Sequence, residues 1–402
     1  MIKETIKKFI PDFVLSWYHL SLAGLGAFLY LFPSKKIKVI GVTGTNGKST
    51  VIYFISAILE EAGFKTASIS SIKFKIKDKE WRNNLKMTMP GRFKLQKFLR
   101  QAVKSGCEYV LIEVTSEGIK QHRHRFIGFD TAVFTNLTPE HIESHKGFEN
   151  YKKAKGQLFK AAKNIHIINI EDKNANYFLH FPAKKKITYG LFKGDINLSN
   201  TPVKLGLTGE FNKYNALAAA AVGLSQKINL ETCQKAIEKI NYIPGRMETV
   251  ISSPFRVIVD YAFTPAALEK VYQTFKPENK RMICVLGACG GGRDKWKRPV
   301  LGELAGKYCD KVIVTNEDPY DENPMEIIEQ VAKGAGDKAE KIEDRREAIR
   351  KALQLAEPED TVIVTGKGCE PWICVANGKK IPWDDRAVVK EEFGKYWTEG
   401  NK

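Results

Sequence analysis

Residues 41–50 read Gly-Val-Thr-Gly-Thr-Asn-Gly-Lys-Ser-Thr. An apolar β-branched run, residues 37–40, precedes them, and an apolar-periodic run, residues 51–59, follows. Strand, glycine loop and helix in that order are the setting of a phosphate-binding loop. Backbone N–H groups of such a loop converge on phosphate oxygens, and the helix N-terminus adds partial positive charge. Gly44, Thr45, Asn46 and Gly47 would wrap the phosphates, Lys48 would reach the outer ones, and Ser49 or Thr50 would hold Mg²⁺. The general pattern, G-x-x-x-x-G-K-[ST], puts Val42 at its first position, and the glycine stands at Gly44 instead. The bland alternative is a plain Gly-rich turn, but Gly-Lys-Ser-Thr opening a helix favours the phosphate loop.

Other residues could join that chemistry. Glu113 ends an apolar run in Ile-Glu-Val-Thr-Ser-Glu-Gly. A carboxylate there, opposite a phosphate loop, is where a further Mg²⁺ ligand would sit. A mere surface Glu fits poorly inside an apolar strand. His141 and His145 stand in Thr-Pro-Glu-His-Ile-Glu-Ser-His. A lone His is more often structural, yet His141 follows a parallel strand, at the end where such sheets bind ligands. Lys155, in Tyr-Lys-Lys-Ala-Lys, reads by itself as part of a solvated helix face. The loop at residues 287–292 fails the dinucleotide pattern G-x-G-x-x-G, because Cys289 stands where the second glycine is needed. A loop that holds a small anionic group is the better reading.

The elements that must position these residues alternate along the chain. Helices are expected over residues 92–104, 151–162 and 212–225, and strands over 109–114, 131–135 and 165–170. Residues 67–76 read as one extended stretch. The alternation breaks near Tyr242-Ile243-Pro244-Gly245 and then restarts. Strands over 257–259, 282–286, 311–315 and 361–365 lead into Asp260, a Gly-rich loop, Asn316-Glu317-Asp318 and Gly366-Lys367-Gly368 respectively. The expected fold class is α/β: a P-loop parallel-sheet ATPase domain over residues 37–243, then a Rossmann-like domain over 244–402. An apolar helical segment over 1–36 precedes them.

At 402 residues the chain has room for two or three cores. A net charge of +18 suits anionic partners. Aromatic residues are not interleaved with the basic runs and no nucleic-acid motif appears, so no nucleic-acid partner is expected. The seven cysteines are odd in number and none forms a CxxC pair, which fits reduced thiols in a cytoplasmic protein. Residues 13–32 carry no Asp, Glu, Lys or Arg and lie between Pro11 and Pro33. The stretch is long enough to span a bilayer, but serines and glycines dilute it. Lysines flank it on both sides (Lys3, Lys7, Lys8; Lys35, Lys36), so no orientation follows. No cleavage site follows it, so export is not expected. A helix docked on the protein body or on a membrane surface is the favoured reading, with a true span as the alternative.

Ordered motifs run through both halves: Thr-Gly-Thr-Asn-Gly-Lys at 43–48, Glu113-Val-Thr-Ser, Gln121-His-Arg, Phe134-Thr-Asn-Leu, Glu140-His141, Lys155, Gly209-Glu-Phe-Asn212, Gly245-Arg-Met-Glu, Asp260-Tyr-Ala, Gly292-Arg-Asp-Lys, Asp344-Arg and Gly366-Lys-Gly-Cys-Glu370. On these the chain resembles the Mur ligases, ATP-dependent amide-bond synthetases of peptidoglycan precursor assembly, and among them the MurE type, the UDP-N-acetylmuramoyl-tripeptide synthetases. The resemblance implies that an acceptor carboxylate is phosphorylated by ATP and that an amino acid amine then displaces phosphate. It implies Lys48, Glu113, His141 and Lys155 as the catalytic set. Ser49, Glu113 and His141 would hold Mg²⁺, joined by Lys155 once carbamoylated. Asn212, Arg246 and Asp260 would contact ATP. Thr88, Thr115, Gln121 and Arg123 would hold a UDP-muramoyl peptide or similar acceptor. Arg293, Asp318, Tyr320, Gly366 and Glu370 would hold the incoming amino acid.

Some positions depart from the resemblance. The family's N-terminal UDP-binding domain is expected to be absent, since 36 residues precede the ATPase domain. The family's Asp-Asn-Pro-Arg, whose arginine reads diaminopimelate, is Glu317-Asp318-Pro319-Tyr320, which opens the site to lysine or another amino acid. Phe263, Cys369 and Met89 also depart from the usual residues. Two alternatives remain: a folylpolyglutamate- or cyanophycin-synthetase-like ligase acting on a non-cell-wall carboxylate, and a nucleotide-binding scaffold subunit of a cell-wall complex.

Overall fold

A computed structural model describes residues 11–85, 87–276 and 280–398. Lys3, Lys7 and Lys8 lie outside the described residues. The chain divides into two units, Met1–Pro139 with Gly147–Asn241, and Glu140–Lys146 with Tyr242–Lys402. The first therefore lends a short piece of its sequence, the piece that carries His141, to the second.

The chain runs in order through α1 (Asp12–Leu29), β1 (Lys38–Thr43), α2 (Lys48–Glu61), β2 (Thr66–Ile69), β3 (Lys73–Ile76), β4 (Lys79–Arg82), α3 (Arg92–Lys104), β5 (Tyr109–Glu113), α4 (Ser116–Lys120) and β6 (Phe129–Phe134). After α5 (Ile142–His145), which belongs to the second unit, come α6 (Phe148–Ala161), β7 (Ile165–Asn169), α7 (Ala175–Leu179), β8 (Lys185–Tyr189), α8 (Phe211–Ser225) and α9 (Leu230–Glu238). The eight strands of the first unit form one sheet in the order β4-β3-β2-β5-β1-β6-β7-β8. From β2 to β8 the pairs are parallel. Its central strands are near-continuous apolar runs because both faces are covered: Val39, Ile40, Val42, Val110, Leu111 and Ile112 are wholly buried. Register levels their ends. Val42 pairs with Glu113 and Thr43 with Phe134, so the loops after β1, β5 and β6 leave the sheet side by side.

The single extended stretch expected over 67–76 is instead two antiparallel strands, extended by β4. The cause is local. Ser70 Oγ accepts the N–H groups of Ile72 and Lys73, each at 3.2 Å, and folds the chain back on itself. Nor do residues 13–32 form one long helix. It stops at Leu29, and Leu31 and Phe32 take left-handed φ values of +59° and +46° before Pro33. Among the described residues no helix is long and apolar enough to cross a membrane.

The second unit continues with β9 (Glu248–Ile251), β10 (Arg256–Asp260), α10 (Pro265–Phe275), β11 (Met282–Leu286), α11 (Lys297–Tyr308), β12 (Lys311–Val314), α12 (Pro324–Ala335), β13 (Ala339–Lys341), α13 (Arg345–Leu355) and β14 (Thr361–Thr365). A hairpin of β15 (Trp372–Cys374) and β16 (Lys380–Pro382) and then α14 (Asp385–Phe393) complete it. Its sheet runs β13-β12-β11-β14-β10-β9, parallel but for β9. The strand alternation sends Ile258, Cys284 and Ile363 against α10 to α12, and Val257, Ile283 and Val362 against α13 and α14. This is the doubly covered sheet that the second alternation implies.

One buried ion pair holds the loops at the strand ends of this sheet. Arg345 donates from Nε and Nη2 to the Asp385 carboxylate at 2.8 and 2.7 Å. The same guanidinium reaches the carbonyls of Asn316 (3.2 Å) and Thr365 (2.7 Å), the starts of the two loops that carry Asp318 and Gly366. Both side chains are excluded from solvent. Replacing one partner strands the other charge. Asp385→Ala should therefore destabilise this unit by about 3–5 kcal/mol in urea unfolding; a change below about 1 kcal/mol would contradict the pair's structural role.

Candidate active site

The loop after β1 has glycine where neighbours crowd it. Gly44 has φ +151°, and a Cβ there would strike Thr135 Oγ1 at the end of β6. Gly47 has φ +83°, and a Cβ there would strike Asn215 Oδ1 on α8. Val42, by contrast, is still inside β1 and wholly buried. That explains the shifted glycine: the strand runs two residues further before the chain must turn. The segment after β6 supports the loop from behind. Thr45 N–H donates to Asn136 O (2.8 Å), and Asn46 N–H to Asn136 Oδ1 (3.0 Å). Thr135 Oγ1 and Asn136 Nδ2 donate to Asn46 O at 2.7 and 3.1 Å. The first intrahelical bond of α2 is Val51 N–H to Gly47 O (2.9 Å), so the N–H groups of its first turn point out of the helix end.

Glu113 ends β5 and is 4% exposed, beside that helix end. Its Oε2 accepts from Ser49 Oγ (2.7 Å) and from Ser71 N–H (2.9 Å). Lys48 Nζ donates to Thr45 O (2.8 Å) and lies 3.8 Å from Glu113 Oε1. The sequence thus foresaw an assembly that the fold makes: lysine, hydroxyl and carboxylate at one loop. A hydroxyl beside a carboxylate is the hard-oxygen donor set that Mg²⁺ takes, with phosphate oxygens and water completing its shell. The residues present therefore fit the ion.

Lys155 is not on a solvated face, which corrects the reading from sequence. It is 2% exposed. Its Nζ donates to Gly44 O (2.7 Å) and lies 4.6 Å from the centre of the Tyr151 ring. Tyr151 in turn is 3.0 Å from Thr45 Oγ1. The polar spacing of α6 hides this, because its inward stripe contains a lysine. Asn212 lies on α8, where its Oδ1 accepts from Asn215 Nδ2 (3.1 Å) and so adjoins the residue facing Gly47.

The acceptor candidates also converge. Thr115 caps α4 through Gly118 N–H (3.1 Å). Arg123 donates to Gln121 Oε1 (2.7 Å) and to the carbonyl of Met89, which follows Thr88. Burial pushes the Arg123 pKa down to about 10, against the usual range of an arginine.

In the second unit His141 holds a left-handed φ of +57°. The turn after it is capped from elsewhere in the sequence. Ile142 and Glu143 N–H donate to the Asp294 carboxylate at 3.1 and 3.0 Å, and Lys297 Nζ meets Glu140 Oε1 at 2.8 Å. Asp260 accepts from Met247 N–H (2.7 Å) and Ala262 N–H (2.6 Å). Burial raises its pKa, and the Arg246 guanidinium opposes the rise. Arg246 itself lies 4.3 Å over the Tyr261 ring.

Two of the amino-acid candidates, Asp318 and Glu370, hold Lys367, which is buried. Its ammonium donates to both oxygens of Asp318 (2.9 Å each) and to Glu370 Oε2 (2.5 Å). Glu370 also accepts from the Tyr261 hydroxyl (2.7 Å). Gly366 has φ +106°, and a Cβ there would strike Glu317 Oε2. Glu317 Oε1 accepts from Cys289 Sγ (2.8 Å), and burial raises the Glu317 pKa. Burial would lower the Arg293 pKa, yet its electronegative surroundings (the Cys289 thiol and Tyr261 first) raise it. Tyr320, with φ +54°, packs its ring on Gly291. Ser71, Asn136, Asn215, Asp294 and Lys367 are the residues that sequence reasoning did not assign. Asn136, Asp294 and Lys367 lie inside motifs it singled out. Ser71 and Asn215 carry no such signal.

Residues 42–223 match the Mur ligase middle domain, and residues 245–368 match the Mur ligase glutamate ligase domain. The UDP-N-acetylmuramoyl-L-alanyl-D-glutamate–2,6-diaminopimelate ligase 1 of Clostridium acetobutylicum is 38% identical over 395 residues, covering 92% of this chain and 81% of that protein. The UDP-N-acetylmuramyl-tripeptide synthetase of Roseiflexus sp. is 35% identical over 413 residues, with the same shares. A solved UDP-N-acetylmuramoyl-L-alanyl-D-glutamate–2,6-diaminopimelate ligase is 28% identical with a TM-score of 0.58, over 89% of this chain and 78% of that one. A Mycobacterium tuberculosis folylpolyglutamate synthase shares the fold, with a TM-score of 0.70 at 17% identity over 86% of this chain and 92% of that one.

The crowding at Gly47 gives a direct check. Gly47→Ala adds a strained left-handed residue and a clash with Asn215, so affinity for a fluorescent adenine nucleotide should fall about tenfold or more. An unchanged affinity would mean the loop does not need this shape.

Proposed function

The chain belongs to the Mur ligase family, and we propose that it is an ATP-dependent ligase joining an amino acid to the carboxylate of a UDP-N-acetylmuramoyl-peptide. The observation that carries the reading is the Ser49–Glu113 hydrogen bond of 2.7 Å with Lys48 beside it, at the mouth of a glycine loop. Relatives 38% identical, named as ligases of UDP-N-acetylmuramoyl-L-alanyl-D-glutamate, support the acceptor class.

The chemistry proceeds in two displacements. An oxygen of the acceptor carboxylate attacks the γ-phosphorus of ATP. The bond from that phosphorus to the bridging oxygen breaks, ADP departs, and an acyl phosphate remains. The amino group of the incoming amino acid then attacks the acyl carbon. The carbon–oxygen bond to phosphate breaks, an amide forms, and the amine proton passes to solvent. Negative charge gathers on the transferring phosphoryl group, so Lys48 and the outward N–H groups of the first turn of α2 stabilise it. Ser49 and Glu113, with His141 as a further proposed ligand, would hold Mg²⁺, and the ion would supply further charge neutralisation. Lys155 is proposed to join it after carbamoylation, which turns the cation into an anion. Asn212, Arg246 and Asp260 hold the nucleotide, and Thr88, Thr115, Gln121 and Arg123 hold the acceptor.

Arg293 is proposed to bind the α-carboxylate of the amino acid, a bidentate match. Lys367 is committed to Asp318 and Glu370. Tyr320 offers no positive charge to a second carboxylate, so the incoming amino acid is proposed to lack one. The same reading makes the enzyme cytoplasmic and includes a contact between residues 13–32 and a membrane surface.

ADP release with UDP-N-acetylmuramoyl-L-alanyl-D-glutamate and a panel of amino acids tests this. Turnover with lysine or a neutral amino acid should exceed that with diaminopimelate by at least roughly tenfold. Preference for diaminopimelate would overturn the specificity, and no turnover with any pair would overturn the acceptor assignment. Lys48→Ala should lower turnover about a hundredfold or more in the same assay; near-normal rates would remove Lys48 from the chemistry.

A further inference from the structure

Helix α1 is mostly apolar, with Ser16 and His19 on its covered side and Ser21 on the bare one, and only one side of it is covered. The covered side faces the acceptor segment. Ser16 Oγ lies 2.7 Å from His122 Nε2, Ala23 and Ala27 are buried, and Gly26 lets the helix settle on the backbone at Arg92 and Phe93. Arg92 in turn donates to Gln121 O at 3.0 and 2.7 Å. The other side carries Phe13, Trp17, Tyr18, Leu25, Phe28 and Leu29, each 49% to 68% exposed. Their spacing puts them on one face of the helix. Together they bare on the order of 600 Å² of apolar surface, at the top of the range for a soluble monomer.

What covers this face follows from its chemistry. Trp17 and Tyr18 are the side chains that favour a membrane–water interface, with an apolar body and a polar tip. Phe126, 47% exposed, extends the apolar face next to Gly24, and the exposed Arg125 adjoins it. Lys35 and Lys36 are exposed just beyond the helix end. The exposed positions from 13 to 36 include no acid, on a chain whose net charge is +18. An apolar aromatic stripe edged by cations matches an anionic lipid surface, where the helix would lie in the plane of the headgroups.

We propose that the bare face of α1 docks on an anionic bilayer. On the ligase reading above, which the proposal extends, docking brings the acceptor segment at Gln121–Arg123 to the membrane surface, because α1 rests on it. The binding test needs no turnover, so its failure and the failure of the ligase reading are separate results.

Flotation with vesicles of equimolar phosphatidylglycerol and phosphatidylcholine tests the docking. The full chain should float with these vesicles, and less with phosphatidylcholine alone. Trp17→Glu with Phe28→Glu should lower partitioning about tenfold or more, while an unchanged circular dichroism spectrum and urea unfolding midpoint show that the variant is folded. Lys35→Glu with Lys36→Glu should lower it about tenfold on the anionic vesicles alone. The proposal is overturned if the wild-type chain does not float, or if the Trp17/Phe28 variant floats equally well. It is also overturned if the chain without vesicles is a dimer that the Trp17/Phe28 variant breaks, for then a second copy covers the face.

Discussion

A carboxylate at the end of an apolar strand is costly unless the fold supplies partners, and Glu113 receives them from two neighbouring loops. A buried unpaired charge costs several kcal/mol. Ser49 and Ser71 hydrogen-bond its Oε2, and Lys48 stands 3.8 Å from its Oε1. This requires β1 and β5 to be adjacent with level ends, which the pairing of Val42 with Glu113 provides. It also requires α2 to begin within a few residues of β1, which the two glycines at 44 and 47 permit. The rest of the first unit serves that arrangement: β6 lends Thr135 and Asn136 to support the loop, and α6 lends Lys155 to its carbonyl at Gly44.

The second unit solves a similar problem differently. It gathers Glu317, Asp318 and Glu370 around Lys367, all at the strand ends of one parallel sheet. Burial raises the pKa values of Glu317 and Asp318, while Lys367 pulls against that rise. The Arg345–Asp385 pair fixes the two loops that carry these groups. Fixed charges of both signs are thus held together there by the fold itself. The likeness to folylpolyglutamate synthase is one of fold alone.

Much of this was legible in the sequence. The α/β alternation, the phosphate loop and Glu113 follow from apolar runs that end in polar residues, and helix 92–104 was placed to the residue. Where reading failed, the cause was tertiary. Lys155 looks solvated in sequence because a lysine on a polar helix almost always is, and the Gly44 carbonyl and the Tyr151 ring that receive its ammonium belong to the tertiary fold. In sequence the hairpin of β2 and β3 reads as one stretch because its turn is made by a serine hydroxyl rather than by glycine or proline. The Glu140–Lys146 segment gave no sign that it belongs with the second unit. Its anchor, Asp294, lies 152 residues after Ile142 and 151 after Glu143 in sequence, beyond the reach of any local pattern. The apolar stretch at residues 13–32 was visible, but which of its faces is bare was not.

The central claim is that ATP activates the acceptor carboxylate as an acyl phosphate. Labelling both oxygens of that carboxylate with ¹⁸O tests it most directly. In the mechanism above, the oxygen that attacks phosphorus stays with the phosphate when the amine displaces it. The account predicts one ¹⁸O in the released inorganic phosphate for each amide formed. Amide formation with unlabelled phosphate would contradict it.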